Sequence, residues 1–273
     1  MLGNNRQLNI SIQQLVFIAT FLLVFFQFKV SVRGLSLPTY IEDAVVVIED
    51  GIFIDGQVKY SVHGTGFIVQ DTSKHMALLV TNRHVLQNRD SIFVRFNTLD
   101  GKSERRVYIL KRKDGSFSWR AHPDANIDVA AIAVPQDLNV RAIDTDRFKP
   151  ISEVSLGDEV FFVGFPLVGF AGKDKNYPII RHGVVSYISK EDVFSDKNIG
   201  SVVFSRDMIL IDATSLSGNS GSPVISIPRK GSNRTSLIGI IQGHLSDPNT
   251  NENFDLGIVI PVDRISEITS SFK

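Results

Sequence analysis

Beyond Leu37-Pro38 the chain is a series of short apolar runs separated by polar turns. Ala44–Ile48, Gly66–Val69, Ala77–Thr81, Ser91–Phe96, Val107–Leu110 and Val129–Val134 read as strands, rich in Val, Ile and Phe. Val160–Val163, Ile179–Ile180, Val184–Ile188, Met208–Ile211, Val224–Ile227, Leu237–Ile241 and Gly257–Ile260 continue the pattern. Asp55-Gly56 and Asp100-Gly101 have the composition of hairpin turns. Short strands at such intervals predict an all-β sandwich or barrel. The polar stretch Asp144–Ser155 is expected to link two β halves. Ile265 and Ile268 stand at helical spacing, which predicts a closing helix over 263–272.

The N-terminus differs in kind. Leu15–Phe28 is apolar apart from Thr20 and Gln27, and no charge falls between Arg6 and Lys29. The apolar core has the length of a signal-peptide h-region, while the whole uncharged stretch is long enough to span a bilayer. Residues 1–36 are therefore expected to be a cleaved signal peptide or a membrane-anchoring hydrophobic helix. Either sends residues 37–273 out of the cytoplasm, to the periplasm or the exterior.

Composition narrows the chemistry. The 273 residues carry 29 basic and 29 acidic side chains, so no net field recruits nucleic acid or an anionic surface. The basic groups at 105–106 and 111–113 form no stripe interleaved with aromatics, and nucleic acid is not expected as a partner. With no cysteine, disulfides, thiolate metal sites and a cysteine nucleophile are excluded. The six histidines are scattered without an H-E-x-x-H pair, and no metal or other cofactor is implied.

Three segments carry nucleophilic chemistry. In Ser217-Gly218-Asn219-Ser220-Gly221-Ser222-Pro223, glycine on both sides of Ser220 permits a tight turn that exposes a hydroxyl and backbone amides. In that geometry the N–H groups of Gly218 and Ser220 form an oxyanion hole. A serine needs a neighbouring base. His84, in Val80-Thr81-Asn82-Arg83-His84-Val85, follows an apolar strand, and Asp128 opens another in Asp128-Val129-Ala130-Ala131-Ile132. Singly each is an ordinary residue; in chain order they run His, Asp, Ser.

The surrounding blocks resemble the HtrA/Deg-type group of trypsin-like (chymotrypsin-fold) serine proteases. Gly64-Thr65-Gly66-Phe67 with Val80–Val85 is similar to the "GSGF…VTNxHV" pattern, and Asp128–Ile132 to "D[IL]AxI". Leu156–Val160 with Gly164-Phe165-Pro166, Gly183–Ser186, Asp212-Ala213 with Gly218–Gly221, and Leu256–Pro261 resemble "GDxV…GxP", "GxVS", "DAxxxxGNSGG" and "GfAIP". The resemblance spans about 43–268. It implies two six-stranded antiparallel β-barrels, the first over about 40–145 and the second over about 150–262. The site would lie in the cleft between them. It also implies a serine endopeptidase acting on polypeptides, with Ser220 as nucleophile, His84 as general base and acid, and Asp128 as its orienting partner. By resemblance Thr214, Leu216, Gln242, Gly243, His244 and 254–257 line the substrate pocket. Thr214 stands where trypsins carry Asp, so a small or medium apolar side chain before the cleaved bond is expected, or a polar one such as Gln read by His244.

The chain departs from the pattern in three places. Ser222 replaces a second glycine, Asn219 replaces the Asp that trypsins pair with a freed N-terminus, and the PDZ domain common in the HtrA/Deg-type group is not expected. Asn219 cannot make that ion pair, so no such zymogen switch is expected. The alternatives are a non-catalytic trypsin-like module that binds peptide, or a serine esterase.

Overall fold

The structure, a computed structural model, describes residues 37–71, 76–166, 172, 174–189, 193–194, 203–204, 207–227, 234–247 and 249–272. The expected signal or anchor over 1–36 lies outside the described residues. Among those described, no helix is long and apolar enough to cross a membrane.

The first half is an eight-stranded sheet. Its strands are β1 (Val45–Ile54), β2 (Gln57–Asp71), β3 (Met76–Thr81), β4 (Ser91–Asn97), β5 (Ser103–Ile109), β6 (Trp119–Ala121), β7 (Ala130–Ala133) and β8 (Ile143–Asp144). The order is β5-β4-β1-β2-β3-β7-β6, with β8 parallel to β2. β1 and β2 form a hairpin turning on Asp55-Gly56, both at positive φ (51° and 78°), the backbone a two-residue loop needs to match strand twist. The two ends of the sheet meet through the Lys111↔Phe117 bridge, the Ser118 N–H to Leu110 O bond of 3.0 Å and the Ser118 hydroxyl bond to Ile109 O of 2.7 Å. Closure is by one hairpin rather than a full ladder. β6 is short because His122-Pro123 follows it, and proline cannot donate to a ladder.

The second half closes fully. β9 (Glu159–Gly164), β10 (Ile179–Ile188), β13 (Ile209–Asp212), β14 (Pro223–Ser226), β15 (Ser236–Ser246) and β16 (Asn253–Pro261) form a barrel in the order β10-β13-β16-β15-β14-β9. A separate pair, β11 (Val193–Phe194) and β12 (Val203–Phe204), stands apart from it. The runs at 179–180 and 184–188, expected as two strands, are one continuous strand. Arg181-His182-Gly183 breaks the apolar pattern but pairs with Phe162, Phe161 and Val160 of β9.

Alternation along the strands builds three apolar clusters. Val46, Ile48, Ile68, Leu79 and Ile132 fill the first half. Val160, Phe162, Val185, Ile211, Val224 and Val259 fill the barrel. The opposite faces of the same strands, Val45, Val47, Phe67, Val80, Ala131, Val163, Ile225 and Ile260, join in a third cluster between the halves. Strands buried on both faces read as unbroken apolar runs, which explains the patterns at Val45–Ile48 and Val129–Ile132. The helix α1 (Thr39–Ala44) and the C-terminal helix α3 (Val262–Ser270) cover this middle cluster with Ile41, Val262, Ile265 and Ile268. Burying each such side chain stabilises the fold by about 1.5–3 kcal/mol. Asp263 in the first turn of α3 accepts the Ile151 N–H at 2.9 Å and ties the linker to the helix.

Candidate active site

The short helix α2 (Arg83–Leu86) begins directly after β3 and carries His84. Its placement is set by Asp128, in the loop leading into β7. Asn82 Nδ2 and the Arg83 N–H donate to the Asp128 carbonyl at 2.9 and 3.4 Å. The Asp128 carboxylate then holds His84 twice. Oδ1 accepts the His84 backbone N–H at 2.9 Å, and Oδ2 lies 2.5 Å from the ring Nδ1. An ionised carboxylate only accepts, so Nδ1 is the donor in this bond, and in the neutral ring that tautomer leaves the lone pair on Nε2. Asp128 is 13% exposed and His84 40%, a shielded partner beneath an accessible ring.

Ser220 sits in the turn between β13 and β14. Gly218 and Gly221 take φ of 93° and 91°, where a Cβ is strained. A side chain on Gly221 would stand 1.8 Å from the Thr65 carbonyl. Thr65, fully buried on β2, is the hub of this turn. Its N–H donates to Ser220 O at 2.9 Å and its hydroxyl to Gly218 O at 2.8 Å, while the hydroxyl accepts the Phe165 N–H at 2.9 Å. Thr81 supports it by donating to Thr65 O at 2.7 Å. The amides of Asn219, Gly221 and Ser222 are spent on Leu216, Ile241 and Asn219 carbonyls. Among the described residues those of Gly218 and Ser220 have no acceptor, as an oxyanion hole requires.

The His84 and Ser220 segments meet at Gly64. A Cβ there would lie 3.0 Å from Val85 Cγ1 and 3.5 Å from Ser220 O, so one bare backbone position separates them. The Ser220 hydroxyl donates to the Gln242 carbonyl at 3.1 Å, and it makes no hydrogen bond to His84.

The other expected site residues surround this turn. Residues 213–215 are held by β16: Ala213 N–H donates to Asp255 O and Asn253 Nδ2 to Ser215 O, both at 2.9 Å. Gln242, Gly243 and His244 lie on β15, which bulges there, with Gly243 opposite Ile258 and His244 opposite Gly257. Thr214 and His244 are half-buried, and Leu216 is exposed. Sequence reasoning assigned no role to Thr65, Asn82 or Arg181. Arg181 reaches across from β10 and donates from Nη1 to Thr214 O at 3.1 Å. His63 also flanks the site, 3.3 Å from Asp50 and 3.0 Å from Arg89. Burial and the Arg89 charge hold its pKa below the ordinary value, outweighing the upward pull of Asp50, and the neighbouring His84 lowers it further.

A family model described as the trypsin-like peptidase domain matches residues 64–232. No curated protein sequence matches this one. The protease domain of MamO from Magnetospirillum magneticum, in its apo form, shares 18% identity and a TM-score of 0.55 over 87% of this chain and 100% of that one. An HtrA-type protease, an AlgW variant with a decapeptide, shares 18% identity and a TM-score of 0.56 over 85% of this chain and 65% of that one. Both show a shared fold, the one the sequence blocks imply.

Proposed function

We propose that this chain, which belongs to the trypsin-like peptidase family, is a serine endopeptidase. The observation that supports this most is the His84–Asp128 pair, locked through both carboxylate oxygens, on a helix whose Val85 meets the Ser220 turn across Gly64. For attack, the Ser220 hydroxyl leaves the Gln242 carbonyl and turns toward His84 Nε2. His84 takes the hydroxyl proton as Oγ adds to the scissile carbonyl. The Gly218 and Ser220 amides stabilise the resulting oxyanion, each contributing about 2.7–4 kcal/mol. His84 then gives its proton to the leaving amine, and water repeats the sequence on the acyl-enzyme. Asp128 stabilises the imidazolium and fixes its tautomer without itself gaining a proton.

The decapeptide carried by the AlgW variant supports an extended polypeptide as the ligand class. The Leu15–Phe28 stretch supports a site of action outside the cytoplasm. One observation favours the second reading, a peptide-binding module without turnover: Ser220 Oγ is bonded to Gln242 rather than to His84. Digestion of an unfolded protein substrate separates the two. The endopeptidase reading expects cleavage by the natural sequence and none by Ser220→Ala. Substrate bound but uncut by both would favour the binding module.

A further inference from the structure

We propose that Arg181 gives the substrate pocket a positive charge, so that the residue before the scissile bond is acidic. This rests on the serine endopeptidase reading and replaces the apolar preference expected from Thr214 and the Gln preference expected from His244. Arg181 shares the inward-facing stripe of β10 with Gly183 and Val185. Val185 belongs to the barrel core, and a Cβ on Gly183 would lie 2.7 Å from the Ala213 Cβ. Two residues earlier on that stripe, Arg181 reaches the end of the barrel and touches Thr214, at the segment leading into the Ser220 turn.

Arg181 Nε is buried and has no acceptor. Ser215, 1% exposed, has a buried hydroxyl with no partner either. Among the described residues no carboxylate lies within ion-pair distance of Arg181, although Asp212 is on the adjoining strand β13 and Asp255 on β16 beyond it. Both orphans can donate, and both adjoin the Thr214 backbone. A half-buried guanidinium without a counter-charge is costly, and a neutral carbonyl does not offset it. Nε and the Ser215 hydroxyl are closed to solvent and Nη1 is held by Thr214 O, which leaves the Nη2 end of the half-buried guanidinium for a ligand. A carboxylate accepts only and matches the donors of arginine, so a Glu or Asp side chain supplies the missing counter-charge there. A glutamine would present one acceptor and two further donors, leaving the charge unbalanced.

The test uses peptides identical except for Glu, Asp, Gln, Leu or Arg before the cleaved bond, with active sites counted by a fluorophosphonate. Wild type is expected to prefer Glu or Asp over Gln by about 10-fold or more in kcat/KM. Arg181→Met should bring the Glu/Gln ratio toward one, and Arg181→Lys should retain part of it. Labelled enzyme that cuts after Gln or Leu as fast as after Glu overturns the proposal. So does an Arg181→Met variant with an unchanged ratio. Binding of the cleavage products to folded Ser220→Ala gives a reading independent of turnover. Peptides ending in Glu should bind at least about 10-fold tighter than those ending in Gln. Selective binding in a protein that no probe labels would keep the pocket assignment and sink the peptidase reading; equal binding sinks the pocket assignment alone.

Discussion

Replacing Thr65 by valine keeps the shape of the side chain and deletes one hydroxyl. That hydroxyl donates to Gly218 O at 2.8 Å and accepts from Phe165 N at 2.9 Å, in a residue with no exposure to solvent. Valine leaves the carbonyl and the amide without their partner, and water has no route to either. Each orphaned buried group costs about 1–3 kcal/mol. Partial relaxation of the turn reduces the sum, and a loss of about 2–4 kcal/mol in unfolding free energy is expected. The catalytic effect runs through the same bond, because the Gly218 amide belongs to the residue whose carbonyl Thr65 anchors. Full loss of an oxyanion donor lowers turnover about 10²–10³-fold, so a loosened one should lower kcat/KM about 10–100-fold. Urea denaturation at fixed pH gives the first number and ester hydrolysis per titrated site gives the second. Thr65→Ser retains the hydroxyl and should lose only about 1 kcal/mol for the missing methyl. A Thr65→Val protein within about 0.5 kcal/mol of wild type and with full activity would refute the role assigned to this hydroxyl.

Asp128→Asn should keep the fold but favour the wrong His84 tautomer, lowering kcat about 10⁴-fold with little change in KM; activity within about tenfold of wild type would contradict this. Gly221→Ala should fail to fold or lose well over about 3 kcal/mol, because its Cβ meets Thr65 O at 1.8 Å. Gly101→Ala has similar φ (83°) but open space around it. It should lose only about 1–2 kcal/mol, and thermal melts of the two variants compare these costs. His63 has a lowered pKa in the folded state, so the unfolded chain takes up its proton first. Its influence is absent above the ordinary value of 6.5 and destabilises the fold as pH falls from there through the folded value. His63→Gln should therefore lose less melting temperature than wild type between about pH 7.5 and 5.5; an equal or larger loss would count against the assignment.

Most of the β framework was legible because period-2 burial leaves a direct trace. Val45–Ile48 reads as an unbroken apolar run since alternate residues enter two different clusters. The strands that escaped notice, β6, β8, β11 and β12, are too short to show any period and exist through pairing with other segments. β10 looked divided because Arg181, His182 and Gly183 are not apolar. A closed barrel supplies the ladder partners, and Gly183 is small because Ala213 occupies its space. The glycine-flanked turn and the blocks around His84 and Asp128 pointed to the candidate site because their residues are local in sequence. Thr65 and Arg181 did not, since what each does depends on a carbonyl brought to it by the other elements of the fold. A threonine in a strand and an arginine in a broken apolar run carry no mark of such contacts. The fate of individual amides, spent at Gly221 and unspent at Gly218, is likewise a property of the folded turn.

The most direct measurement of the central claim is covalent labelling by a fluorophosphonate, followed by mass spectrometry of the modified peptide. Activation of Ser220 by His84 predicts stoichiometric modification of that hydroxyl alone, with none in Ser220→Ala and a rate reduced at least about 10³-fold in His84→Ala. Folded protein that stays unmodified at Ser220, or that reacts equally fast without His84, would contradict it.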